Sequence, residues 1–132
     1  MQIDHLGIAV RSLPEALARY EPVLGARGSA PEPVESQGVR VSFLEAGESH
    51  LEFLEPLRPD SAVGRFLEKR GEGIHHLAFR VPDVAAALAN VRAHGGRLID
   101  EVPRPGARGR TVAFAHPASF HGVLVEFVGA PR

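Results

Sequence analysis

The pattern around His5 returns around His76, 71 positions further on. Under that shift Leu6 falls on Leu77 and Val10 on Val81. Ala16, Leu17 and Ala18 fall on Ala87, Leu88 and Ala89, and Gly25 on Gly96. A doubled unit fixes the architecture before any local reading, because both copies must adopt one fold. A copy of roughly 60–70 residues is marginal alone. The copies are therefore expected to pack on each other or to trade with a second chain.

Composition narrows the class. With 132 residues the chain is long enough for one domain with a real core. A net charge of −1 announces no nucleic-acid or polyanion partner. No apolar run approaches a membrane span, and no basic-then-apolar N-terminus reads as a signal peptide. Cysteine is absent and there are seven histidines, so a metal site would use nitrogen and oxygen ligands. A cytoplasmic location is expected, with no membrane partner.

In chain order, Ile3 to Val10 alternates as a strand. It sets Leu6, Ile8 and Val10 on one face and His5 among small residues on the other. Ser12-Leu13-Pro14-Glu15 has the form of a capping box. Leu13, Ala16, Leu17, Tyr20 and Leu24 give the following helix an apolar stripe. Pro22 and Gly25 end it. A poor strand is expected at 26–30, then a loop over 31–38. Strands at 39–46 and 50–55 flank a turn at Gly47-Glu48.

A helix over 61–70, capped by Ser61 and closed by Gly71, links the halves. The second copy then follows. It has a strand with Leu77, Phe79 and Val81 toward its helix, and a helix capped by Asp83 with Val84, Ala87, Leu88 and Val91 as its stripe. A short strand at 97–99, a loop at 103–109 and strands at 111–115 and 123–128 complete it. The fold class is α+β: two βαβββ repeats, about 1–57 and 73–130, forming a pseudo-two-fold curved mixed sheet in a single domain of residues 1–132.

Each copy places a histidine on its first strand and a glutamate on its last: His5 with Glu52, His76 with Glu126. A carboxylate among Val, Leu and Phe is costly unless partnered. A pseudo-two-fold would bring two imidazoles and two carboxylates together, a donor set suited to Co, Ni, Zn, Mn or Fe. The plain alternative is a pair of buried ion pairs. The other histidines read differently. His75 faces packing, His94 sits at a helix C-terminus where its charge suits the dipole, and His116 and His121 lie in loops. His50 shares the face of Glu52 but has no duplicate.

These features resemble the vicinal oxygen chelate (glyoxalase-like) superfamily, and within it the methylmalonyl-CoA epimerase family. The residues that carry the likeness run from Ile3 to Val10, through Gln37-Gly38-Val39, Leu54-Glu55-Pro56-Leu57 and Phe66 to His76. They continue in Arg104-Pro105-Gly106-Ala107-Arg108-Gly109, His116-Pro117 and Gly122 to Glu126. The glycine-rich lead into His75-His76 and the Arg104–Gly109 loop are the specific parts.

The resemblance implies a divalent metal held by His5, His76 and Glu126 with Glu52 as fourth contact. Co2+ is favoured, with Ni2+, Mn2+ or Zn2+ also suitable. It further implies a CoA thioester substrate and a homodimer. Some members carry glutamine where this chain has Glu52. Some carry a glutamate, proposed as a base, where this chain has Val41. Catalysis by proton transfer then falls to Glu126 and Glu52. Lys69, Arg70, Arg104, Arg108 and Arg110 are candidates for the CoA phosphates. Ser119 and the Phe120-His121-Gly122 turn are placed at the cleft border.

Three other readings share the fold. Lactoylglutathione lyase (glyoxalase I) uses the same four ligands on a glutathione hemithioacetal. A ring-cleaving dioxygenase uses two His and one Glu around Fe(II). A metal-free small-molecule-binding protein generally lacks the ligands.

Overall fold

A computed structural model describes residues 1–131. Among the described residues there are eight strands and three α-helices. By contact the chain falls into two compact units. His5–His75 forms one; Met1–Asp4 and the chain from His76 onward form the other.

The first unit contains most of β1 (Gln2–Ala9), then α1 (Leu13–Leu24), β2 (Glu32–Val34), β3 (Val39–Ala46), β4 (Ser49–Pro56) and α2 (Ala62–Arg70). Its strands lie in the order β2-β3-β4-β1. β1 runs parallel to β4, and the β2–β3 and β3–β4 pairs are antiparallel. Val10, Leu13, Leu44 and Phe53 form its core, with Ile8, Ala16, Leu17, Tyr20 and Leu51 packed around them. The predicted helical stripe thus faces the sheet, except that Leu24 is exposed.

The second unit repeats the plan with β5 (Gly73–Arg80), α3 (Val84–Ala93), β6 (Arg104–Pro105), β7 (Arg110–Ala115) and β8 (Val125–Pro131). Its order is β5-β8-β7-β6, with β5 parallel to β8 and the other pairs antiparallel. Its core is Val81, Val84, Leu88, Ala113, Ala115, Val125 and Phe127. Both units are βαβββ, the predicted α+β class.

Capping is repeated too. Ser12 Oγ accepts from the Glu15 amide, and the Asp83 carboxylate accepts from the Ala86 amide. Both caps are extended, at φ −145°. An oxygen side chain at N-cap satisfies an amide that the helix itself cannot. Gly25 closes α1 at φ 65°, the left-handed conformation that glycine adopts without penalty.

The ends of several elements bear on the site's surroundings, and some differ from expectation. Helix α1 runs two residues past Pro22 and stops at Gly25, as expected. A proline so near the C-terminus removes only one helical donor. No strand forms at 26–30. Instead Ser29 ties that segment to β3 through bonds to Ser42 and Phe43, and the short strand β2 lies inside the expected loop. Pro33 fits there because an edge strand leaves one side unpaired. The expected strand at 97–99 is reduced to a bridge between Leu98 and Ala115. The loop at 103–109 contains β6 and a 3-10 turn at Ala107–Gly109, and β8 begins at Val125 rather than Val123.

Candidate active and metal site

The site is built twice from the same register. In the first unit Gly7 lies opposite Glu52, with His5 two residues earlier on β1. In the second, Ala78 lies opposite Glu126, with His76 two residues earlier on β5. Parallel pairing with this offset brings each histidine to its glutamate. His5 Nε2 is 3.2 Å from Glu52 Oε1. His76 Nε2 is 3.1 Å from Glu126 Oε1. All four side chains are buried.

A small residue beside each glutamate, Gly7 or Ala78, leaves room for the carboxylate. On the other side β3 sets Phe43 opposite Glu52, and β7 sets Phe114 opposite Glu126. Each phenylalanine meets its histidine edge-on, Phe43 at 6.5 Å from His5 and Phe114 at 5.4 Å from His76. Apolar walls exclude water and strengthen any electrostatic contact between them. These two rings are a missed part of the site. Their signal was present, since Phe43 and Phe114 are related by the same 71-residue shift.

The donor chemistry fits a divalent ion. Neutral imidazole Nε2 and carboxylate oxygen are ligand atoms for Co, Ni, Zn or Mn, and each of the four residues offers one such buried atom. Each pair also fits an unloaded state, where a protonated imidazole and a carboxylate satisfy one another.

The remaining predicted residues separate. Arg110 is committed inside the second unit. Its Nη1 and Nη2 bind Asp4 at 3.0 and 2.9 Å, and its Nε donates to the Gly129 carbonyl at 2.9 Å. Arg80 joins from the other side, 2.9 Å from Asp4. Asp4 is fully buried, so two guanidiniums hold its charge away from water. Sequence reasoning gave Arg110 to substrate and missed Asp4 altogether. All three of that guanidinium's nitrogen positions are instead engaged within the protein, which leaves it poorly suited to a phosphate.

Arg104 Nε pairs with Asp100 at 3.2 Å, and its guanidinium stands 5.7 Å from the Phe114 ring centroid. Arg108 is exposed and adopts φ 59°. Lys69 and Arg70 lie in the last turn of α2, where Arg70 stands over Phe66. Ser119 Oγ accepts from the Arg97 amide and donates to the Arg97 carbonyl, so it pins a loop.

The other histidines behave as read, with one exception. His75 packs edge-on against Phe66. His94 closes α3 and its ring bonds the Asn90 carbonyl. His116 caps the 3-10 turn at Pro117–Phe120, and His121 is exposed. His50 is the exception: it is buried against His5 itself. No helix among the described residues is long and apolar enough to cross a membrane.

Residues 4–114 match the family described as the Glyoxalase/Bleomycin resistance protein/Dioxygenase superfamily. An uncharacterized protein of Bacillus subtilis is 46% identical over 125 residues, covering 95% of this chain and 89% of its own. The ethylmalonyl-CoA/methylmalonyl-CoA epimerase of Cereibacter sphaeroides is 39% identical over 127 residues, covering 95% of each chain. Among solved structures, a variant of Streptomyces coelicolor methylmalonyl-CoA epimerase in complex with 2-nitronate-propionyl-CoA superposes with a TM-score of 0.94. It is 42% identical and covers 98% of this chain and 94% of that one.

Proposed function

We propose that this chain, which belongs to the glyoxalase/bleomycin resistance protein/dioxygenase superfamily, interconverts the two epimers of methylmalonyl-CoA. The observation that carries this reading is full-length likeness, about 40% identity, to proteins named for that activity. The repeated buried His–Glu pairs supply the chemistry it requires. The same relatives favour epimerisation over the lactoylglutathione lyase alternative.

The reaction removes the proton from the carbon between thioester and carboxylate and returns it on the opposite face. His5, His76 and Glu126 are the residues we assign to a divalent ion, with Glu52 as a fourth contact. Cobalt(II) is the first choice. Such an ion, when bound, would supply Lewis-acid stabilisation of the negative charge that develops on the substrate.

The chain's own work is to move the proton. Glu126 takes or delivers it at one carboxylate oxygen, and Glu52 serves the other face. Val41 leaves no carboxylate at the position where some relatives keep one; its neighbour on β4 is Leu54 and its neighbour on β2 is Glu32. Glu52, two residues along β4 on the same face as Leu54, is the buried carboxylate we assign to that role. A carboxylate held firmly by metal is a poor base. Whichever of Glu52 and Glu126 moves the proton would need a carboxylate oxygen free of the ion.

Phe43 and Phe114 keep water from the histidine–glutamate pairs. Lys69, Arg70, Arg104 and Arg108 are our candidates for the CoA phosphates; Arg108 is the more exposed of the loop pair. A cytoplasmic homodimer, with the two repeats as one domain of residues 1–132, completes the proposal.

Exchange of solvent deuterium into methylmalonyl-CoA tests it, with and without Co(II), in the wild type and in His76→Ala. Exchange that needs both metal and His76 is the expected result. Turnover of a glutathione hemithioacetal without exchange into the thioester would overturn it.

A further inference from the structure

The proposed metal site leaves one buried imidazole beside it without a role. His50 stands directly across from His5 in the β1–β4 register. The two rings are stacked, with centroids 5.3 Å apart and planes 22° from parallel. Phe43 meets the same His50 ring edge-on at 4.9 Å. His5, His50 and Phe43 therefore form one block of three rings on adjacent strands.

The second unit lacks this block. His50 lies two residues before Glu52 on β4, and the residue two before Glu126 is Leu124. Phe114 keeps the edge-on contact with His76, but an aliphatic side chain offers no face to stack on. A leucine fills space without burying a polar ring, and burying a polar ring costs free energy unless it is well partnered. The first unit places a polar ring at that strand position, directly beside a proposed ligand.

We infer that His50 is a positioning residue: its ring fixes the plane of the His5 imidazole and so keeps His5 Nε2 directed at Glu52. The physical reason is rotational. An imidazole with one edge against Phe43 and one face against a parallel ring has little freedom about its last torsion. Ligand histidines perform best when a neighbour holds their orientation. The two histidines of the proposed site are thus held by different means, His5 by a stacked ring and His76 by Phe114 with an aliphatic neighbour. This inference rests on the metal reading for its function, but the orientation itself exists without metal.

Two variants separate ring stacking from mere space filling. His50→Leu copies the second unit, and His50→Phe keeps a flat ring. The readouts are the His5 Cε1–Hε1 resonance in metal-free protein, Co(II) affinity by calorimetry, and the urea midpoint as a check on folding. His50→Leu is expected to shift the His5 resonance and weaken Co(II) binding about tenfold, with His50→Phe within about twofold of wild type.

An unchanged resonance and affinity in folded His50→Leu would overturn the inference. Equal losses in both variants would do the same, since ring flatness would then be irrelevant. If His50→Leu does not fold, His50→Gln makes the same comparison. A wild type that takes up no Co(II) would remove the metal reading, while the His5 resonance would still decide whether His50 orients the ring.

Discussion

His76 Nε2 stands 3.1 Å from Glu126 Oε1, with both side chains almost wholly buried. That contact ties stability to the proposed chemistry. In His76→Ala a buried carboxylate loses a partner, at a cost of about 1–3 kcal/mol. Urea unfolding should show that loss in the metal-free protein. Exchange of the substrate proton should disappear even after refolding with excess Co(II). Retained exchange would take His76 out of the site.

Glu52→Gln separates ligand from base. Glutamine keeps the shape of glutamate and one oxygen donor, so Co(II) binding should survive. Proton exchange should fall about 10²–10⁴-fold, the usual contribution of a positioned general base. Calorimetry on the same sample reports the metal. Normal exchange with intact binding would leave Glu52 as a ligand only.

The Asp4 cluster predicts a loss of stability. Asp4→Ala leaves Arg110 and Arg80 facing each other without their counter-charge, and Arg110 is largely buried. Breaking a buried pair typically costs about 3–5 kcal/mol. The exposed side of Arg80, at 43%, places this case at the lower end. Thermal melting should drop accordingly.

What the sequence disclosed, and what it hid, follows from where the information lies. The repeat was legible because a doubled gene leaves the same residues at one spacing, and it yielded both βαβββ units. The His–Glu pairs were legible because a carboxylate inside a run of apolar residues contradicts its surroundings. Glu126 does not obey the 71-residue shift from Glu52, yet strand register restores the match through Gly7 and Ala78.

Asp4 was hidden because its partners lie 76 and 106 residues away, and nothing local announces a long-range ion pair. Arg110's partners were hidden for the same reason: loop location alone suggested a free cation. Ser29 shows a third limit. One hydroxyl with its backbone holds segment 26–30 against β3 without forming a ladder, so composition cannot distinguish it from a strand.

Removing metal should affect folding as well as activity. A ligand that binds only the folded state adds stability of RT ln(1 + [L]/Kd), about 2.7 kcal/mol at a hundredfold excess over Kd. Each histidine meets its glutamate only in folded protein, since His5 and Glu52, like His76 and Glu126, lie far apart along the unfolded chain. Treatment with EDTA should therefore lower the melting temperature and abolish exchange together, and added Co(II) should restore both. His5→Ala should show the lower melting temperature from the outset and gain nothing from Co(II). A chelator that stops exchange but leaves melting unchanged would mean that the ion binds too weakly to be resident. An ion that stabilises His5→Ala as much as wild type would place the metal at other residues.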